Sequence, residues 1–214
     1  MYVIIVANAP EFQASPFLDR LRAADLVIAA DGGGNALYVT GFVPHLVVGD
    51  LDSLDPAAAE YFRTTSAEVR RYPAEKDETD LELALLIAIE RGATQIDILG
   101  AIGGRWDQGL ANVAMLALPE LASVRVRLCD LTQEAFLVRA TAEIQGQIGD
   151  VVSLLPLGGA VHGITTRGLY YPLEEATLRF ERSRGVSNVM TASPAHVAIR
   201  EGLLLVIRQG FGGR

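Results

Sequence analysis

The chain is poor in the residues that build cross-links and bind soft metals. It has one cysteine, Cys129, and three histidines among 214 residues. A single cysteine excludes an intrachain disulfide. No histidine stands near it in sequence to activate it, so Cys129 is expected to be a small buried hydrophobe. His45, His162 and His196 lack metal-ligand spacing, which argues against zinc and leaves each an ordinary structural role. Cations are scarce too. Lys and Arg total 18 against 26 Asp and Glu, a net charge of −8. They are thinly spread, no cluster offers a footprint for a phosphate backbone, and no nucleic-acid partner is expected. No run approaches the ~18 uncharged apolar residues that cross a bilayer. The N-terminal MYVIIVANAPEF is apolar but lacks a basic leader, and it reads as a first strand. The expectation is a soluble, cytoplasmic protein with no membrane partner.

Hydrophobic residues make up 50% of the chain and charged residues 21%, a globular composition. The length suits one large domain or two small ones with a real core. Up to about Asp130, short apolar runs alternate with helical patterns. YVIIVAN, DLVIAAD, HLVVGD, EVRRYP, QIDILGA and VRVRLCD read as strands. Helices are predicted from Ser15-Pro16, with Ser15 as N-cap, over GGNALYVTG, from Asp55 to Phe62, over Thr79–Arg91 and over Gln108–Leu118. Such alternation predicts an α/β fold with a mainly parallel sheet flanked by helices. After Asp130 the runs are short, alternating, and broken by Gly and Pro. They predict an all-β domain, most simply a sandwich. The expected division is residues 1–135 and 136–214.

Chemistry gathers at the strand ends. In VGDLDSL, Asp50 and Asp52 are one residue apart, and in extended chain they point to one face. Two ionised carboxylates there repel unless a divalent cation joins them, and Mg²⁺ is commonly held by one or two carboxylates plus substrate phosphates. DGGGNAL places Asp31, Gly32, Gly33 and Asn35 between a strand and a helix, where glycines let backbone approach a phosphate. In PAEKDETD, Asp77 and Asp80 are spaced to share a face of the helix start, Thr79 and Glu82 have capping-box spacing, and Lys76 could meet a phosphate as a point charge. GAIGGRWDQGLAN repeats the strand–glycine–helix pattern with Gly103, Gly104, Arg105, Asp107 and Asn112. Arg105 suits bidentate phosphate binding, and Trp106 is expected to pack against protein. Carboxylates without Cys or His select a hard cation. Together the four strand ends suggest metal-assisted handling of a polyphosphate.

At these residues a resemblance emerges. DGGGNAL, GDLDSL, KDETDLELAL and GAIGGRWDQGLAN, in that order, resemble the motif series of the thiamine pyrophosphokinase family. VVSLLPLGG, TTRGLYYPL, GVSN and REGLLLVI resemble its β-sandwich domain. The resemblance implies an ATP-binding catalytic domain, a thiamine-binding sandwich, and a homodimer with active sites between subunits. It implies transfer of pyrophosphate from ATP to the thiamine hydroxyl, giving thiamine diphosphate and AMP. It implies Mg²⁺ on Asp50, Asp52 and Asp80. It places Asp31, Thr79, Arg105 and Asp107 at the nucleotide, with Gly32, Gly33, Asn35, Lys76, Asp77, Gly103, Gly104 and Asn112 completing that site. Ser187 and Asn188 would hold the thiamine pyrimidine ring. Gln108 stands where the family often has His, and Val189 where it often has Glu. Three rival readings are an aspartyl phosphatase, a pyrophosphokinase acting on another alcohol such as a pterin, and a catalytically silent nucleotide- or thiamine-binding protein.

Overall fold

A computed structural model describes residues 1–210. The chain forms two compact units, the first Met1–Cys129 and the second beginning at Asp130.

In the first unit, β1 (Tyr2–Val6), β2 (Leu26–Ala30), β3 (Leu46–Gly49), β4 (Glu68–Arg71), β5 (Gln95–Leu99) and β6 (Arg125–Cys129) pair in parallel, in the order β6-β5-β1-β2-β3-β4. Every residue of β2 and β3 is buried. Parallel strands covered on both faces need such unbroken apolar runs. The chain winds outward from β1 to β4 and then returns to set β5 on the other side of β1. Winding reverses there, and the carboxyl ends of β1 and β5 frame the crevice where open α/β sheets bind ligands.

The helices are α1 (Leu18–Ala23), α2 (Gly33–Val39), α3 (Pro56–Arg63), α4 (Asp80–Glu90) and α5 (Trp106–Met115). Ile4, Val6, Val27, Ala29 and Val47 of the strands pack with Leu21, Leu37, Ala58 and Phe62 of α1 to α3. Side chains alternate along a strand, so Ile5, Ile28, Leu46 and Val48 face the other way, where α4 packs on β1, β2 and β3. Phe62 is fully buried, worth about 2 to 3 kcal/mol relative to exposure.

Three local expectations are corrected. Ser15 begins a 3₁₀ turn, Ser15–Phe17, and makes no capping bond, with α1 following at Leu18. Helix α5 begins at Trp106, ahead of the expected Gln108, because extended Arg105 serves as N-cap without a side-chain bond. Trp106 does not pack: it is 86% exposed. By contrast, Thr79 caps α4 as its spacing predicts, its hydroxyl accepting from the Glu82 N–H at 3.2 Å.

Strand β4 is the free edge of this sheet, and its residues Glu68, Val69 and Arg71 are exposed. Glu68 pairs with both Arg70 and Arg91. On the other side of β1, Asp97 of β5 is buried completely. Its carboxylate accepts from Tyr2 Oη at 2.6 Å, from Arg20 at 2.5 Å, and from Arg127 at 2.8 and 3.0 Å. The bonds tie β1, α1, β5 and β6 together, and Arg20 also reaches the buried Cys129 sulfur at 3.4 Å.

The second unit has two antiparallel sheets. One runs β12 (Asn188–Val189), β9 (Val151–Pro156), β14 (Leu204–Gln209), β7 (Gln133–Val138). The other runs β11 (Ala176–Leu178), β10 (Val161–Arg167), β13 (Ala195–Ala198), β8 (Thr141–Ile144). Val138, Val152, Leu154 and Val206 of the first share one core with Ile144, Val161, Ile164 and Val197 of the second. Two sheets over one core make the expected sandwich. Among the described residues no helix is long and apolar enough to cross a membrane.

Candidate active site

The site is built from the loops beyond the carboxyl ends of β1, β2, β3 and β5 and the start of α4. Asp31 follows β2 directly, buried, at φ +43; Leu51, between the two acids after β3, sits at φ +67. Non-glycine residues seldom adopt this conformation, and it gathers at functional loops. Carboxylate oxygens of Asp31, Asp50 and Asp52 come within 4.8 Å of one another. The Asp52 N–H donates to Asp50 Oδ1 at 3.1 Å, and the Ser53 hydroxyl donates to Asp52 Oδ1 at 3.0 Å.

Glycine makes the convergence possible. Gly49 has φ +150. A Cβ on it would stand 2.9 Å from Asp31 Cβ and 3.0 Å from Asp80 Cγ. The bare backbone therefore lets the acid after β2 and the acid opening α4 meet above the end of β3. Asp80 Oδ1 lies 3.1 Å from Lys76 Nζ, within ion-pair reach, but the direction does not make a hydrogen bond. Asp31 Oδ1 and Asp80 Oδ1 are both buried without a hydrogen-bond partner among the described residues. Such atoms are costly unless something else satisfies them. Burial pushes the Asp31 carboxyl up from its ordinary range, and the Asp80 and Asp52 charges add to this, against hydrogen bonds from Ser53 and the Gly32 N–H. An all-oxygen donor set with two unsatisfied oxygens and mutual repulsion fits a hard divalent cation.

The glycine turns pack against the loop after β1. A Cβ on Gly32 would collide with the Asn8 side chain at 2.2 Å, one on Gly33 with the Val6 carbonyl at 2.0 Å, and one on Gly104 with Pro10 at 2.7 Å. The Ala9 N–H bonds the Gly100 carbonyl at 2.9 Å, which joins the loops beyond β1 and β5. Gly103 has φ +139 and Gly104 φ +68. Asn8, exposed at this junction, escaped the sequence analysis. Its only signal was a polar residue directly after the first apolar run.

Several expected ligand contacts are engaged within the protein. Asn35 donates to the Ser53 carbonyl at 2.9 Å and accepts from the Asp55 N–H at 2.8 Å, bracing the loop that carries Asp52. Buried Asn112 donates to the Ala101 carbonyl at 2.6 Å. Lys76 also donates to the Pro73 carbonyl. Asp77 does not share a helical face with Asp80: α4 starts at Asp80, and Asp77 lies exposed in the turn before it. Arg105 and Asp107 form an exposed bidentate pair at 3.1 and 2.5 Å, and that hydrogen bonding holds the Asp107 carboxyl below its usual range.

In the second unit, Ser187 is exposed at φ +58, and its N–H donates to Ser153 Oγ at 3.1 Å. Asn188 is buried. Its Oδ1 accepts from the Tyr171 N–H at 2.9 Å and its Nδ2 donates to the Tyr171 carbonyl at 2.8 Å. Tyr170 and Tyr171, edge to face at 4.8 Å and each 64% exposed, offer aromatic surface at the same turn. The sequence analysis did not single them out, since an adjacent tyrosine pair reads as ordinary strand.

Comparison with known proteins bears on both units. Residues 17–128 match the model for the thiamin pyrophosphokinase catalytic domain, and residues 141–204 match that family's vitamin B1 binding domain. The thiamine pyrophosphokinase of Bacillus subtilis (strain 168) is 28% identical over 207 residues, covering 95% of this chain and 96% of the relative. Thiamine pyrophosphokinase 1 of rice, Oryza sativa subsp. japonica, is 25% identical, covering 96% and 86%. The crystal structure of thiamin pyrophosphokinase from Geobacillus thermodenitrificans superposes with a TM-score of 0.83 at 28% identity, covering 100% of this chain and 99% of that one. The B. subtilis enzyme's structure gives 0.87 at 26% identity, covering 98% and 99%. With family models matching each unit in order, the chain belongs to the thiamine pyrophosphokinase family.

Proposed function

We propose that the protein transfers a pyrophosphoryl group from ATP to the hydroxyl of thiamine, giving thiamine diphosphate and AMP. The observation that carries this reading is the meeting of Asp31, Asp50 and Asp52 beside the glycine turns at the switch point of the sheet, in a chain of this family. The first unit acts as the nucleotide-binding catalytic domain and the second as the thiamine-binding domain.

The thiamine oxygen attacks the β-phosphorus of ATP, an O–P bond forms, the bond from β-phosphorus to the bridging oxygen breaks, and AMP departs with that oxygen. The hydroxyl proton passes to a carboxylate of the cluster. Mg²⁺ held by Asp50, Asp52 and Asp80, with Asp31 alongside, would neutralise charge developing on the phosphate oxygens. Arg105 turns its planar guanidinium from Asp107 to the phosphates; an exposed pair contributes little to stability, so exchanging its carboxylate for a phosphate costs little. Asn35 and Asn112 hold the two phosphate loops in shape. In the second domain, the exposed Ser187 hydroxyl and the tyrosine pair meet the thiamine rings, while Asn188 fixes their turn. The working form is a homodimer with active sites at the subunit interface. Support comes from large apolar side chains left open on the first unit, Trp106 and Leu110 one turn apart on α5 at 86% and 70% exposure.

Incubation with Mg-ATP and thiamine tests the reading. Equal amounts of AMP and thiamine diphosphate are expected. ADP, free phosphate, or binding without turnover would refute it.

A further inference from the structure

In the second unit the end of β11 and the connection to β12 border an open surface cavity of about 440 Å³ lined by Thr177, Leu178, Arg179, Arg182, Ser183 and Arg184. We propose that this cavity is a second anion site that takes a polyphosphate chain. It shares no residue with the carboxylate cluster and does not depend on the proposed reaction.

The three arginines are exposed and have no ion pair or side-chain hydrogen bond among the described residues. Glu181, the acid within the same turn, makes none with them. This is unusual for the unit, where Arg200 pairs with Glu175 and Arg208 with both Glu134 and Asp150. In a chain of net charge −8, carboxylates are plentiful, yet among the described residues none pairs with this cluster. Three like charges around one concavity repel each other unless an anion enters, and a single phosphate cannot match them all. A chain of two or three phosphates can, through the forked bonds that guanidinium forms with phosphate.

The frame is preformed. The Arg182 N–H bonds the Arg179 carbonyl at 3.0 Å, turning the chain so that both side chains reach one cavity. The Leu154 N–H bonds the Gly185 carbonyl at 2.8 Å, and Ser187 is pinned to Ser153, so the turn is stitched to β9 on its far side. Gly185, at φ +105, is needed there: a Cβ would stand 2.5 Å from the Leu154 carbonyl. Ser183 and Thr177 add hydroxyls, the latter bonded to His162 Nδ1 at 3.1 Å. The held backbone confines the ordering cost of binding to the arginine side chains themselves.

The test is titration calorimetry of the whole protein with inorganic tripolyphosphate in EDTA, so that no metal assists. Saturable binding at one site per chain is expected, weakening at least tenfold in Arg182→Ala/Arg184→Ala and retained in Asp52→Asn. The arginines make no side-chain bonds, so the melting temperature of the double variant should be unchanged; Arg182→Glu, with charge reversed, should lose binding as well. Competition assigns the source of the phosphates. Displacement by ATP alone points to the nucleotide, and displacement by thiamine diphosphate alone to the product. No metal-free binding, binding indifferent to the arginine substitutions, or displacement by unphosphorylated thiamine would overturn the proposal.

Discussion

Gly49 shows how a residue without a side chain can control a site made of charges. Alanine there would put a methyl group 2.9 Å from Asp31 Cβ and 3.0 Å from Asp80 Cγ, inside ordinary contact distance, so the carboxylates must part. Misplacement on the order of 1 Å costs about 100-fold in rate, and Gly49→Ala is expected to lower kcat by at least that much. Weaker Mn²⁺ binding by paramagnetic resonance should accompany the loss. Unchanged kcat and Mn²⁺ affinity would show that the acids do not act together. Arg105 gives the opposite case. Its side chain is exposed and, among the described residues, bonds only Asp107. Arg105→Ala should leave the melting temperature unchanged and reduce kcat by about 100-fold, the scale of losing one donor to a developing oxyanion. A fully active variant would remove Arg105 from the phosphate site.

At the level of elements, the buried Asp97 joins one helix and three strands. Burial raises its pKa, but hydrogen bonds from Arg127 and Tyr2 and the arginine charges outweigh this, and the carboxyl is held below its usual value of 3.8. Its contribution to stability is therefore present above that value and lost as pH falls through the lowered one. Tyr2 behaves in reverse. Burial and the Asp97 hydrogen bond push it up to about 12 from 10.0, so its contribution holds below pH 10 and fades between pH 10 and about 12. Urea midpoints measured across pH should fall at both ends, and Tyr2→Phe should flatten the alkaline limb. Asp97→Ala, which strands two guanidinium groups, should cost about 3 kcal/mol, near the low end for a broken buried pair because both arginines keep partial access to water. A loss below about 1 kcal/mol would mean that the network contributes little.

Legibility in sequence follows the same physics. The parallel strands could be read because burial on both faces demands continuous apolar residues, as in LVIAA and LVVG. Helix α4 was legible because Thr79 caps it with its own side chain. Helix α5 was displaced by two residues because Arg105 serves as N-cap by backbone conformation alone, which no residue type announces. The acids after β2 and β3 were legible from spacing and strand position. Asn8 was not: its importance arises from contact with Gly32, and local patterns carry no trace of such a partner. Nor could spacing tell that Asn35 and Asn188 spend their amides on backbone of their own fold.

For the whole molecule, a cation seated on the unsatisfied oxygens of Asp31 and Asp80 would make folding and ion binding interdependent. A cation that binds only the folded chain stabilises it by about 2.7 kcal/mol at 100 times its Kd. Thermal melting should rise with Mg²⁺ in the parent protein and respond far less in Asp52→Asn. An identical response in both would place the stabilising ion elsewhere. The border strand β4 also shapes how copies of the chain can meet. Glu68, held between Arg70 and Arg91, surrounds the open backbone with hydrated charge. A foreign strand laid along it would have to strip that water without restoring the ion pairs, so this rim resists runaway sheet stacking and leaves self-association to other faces.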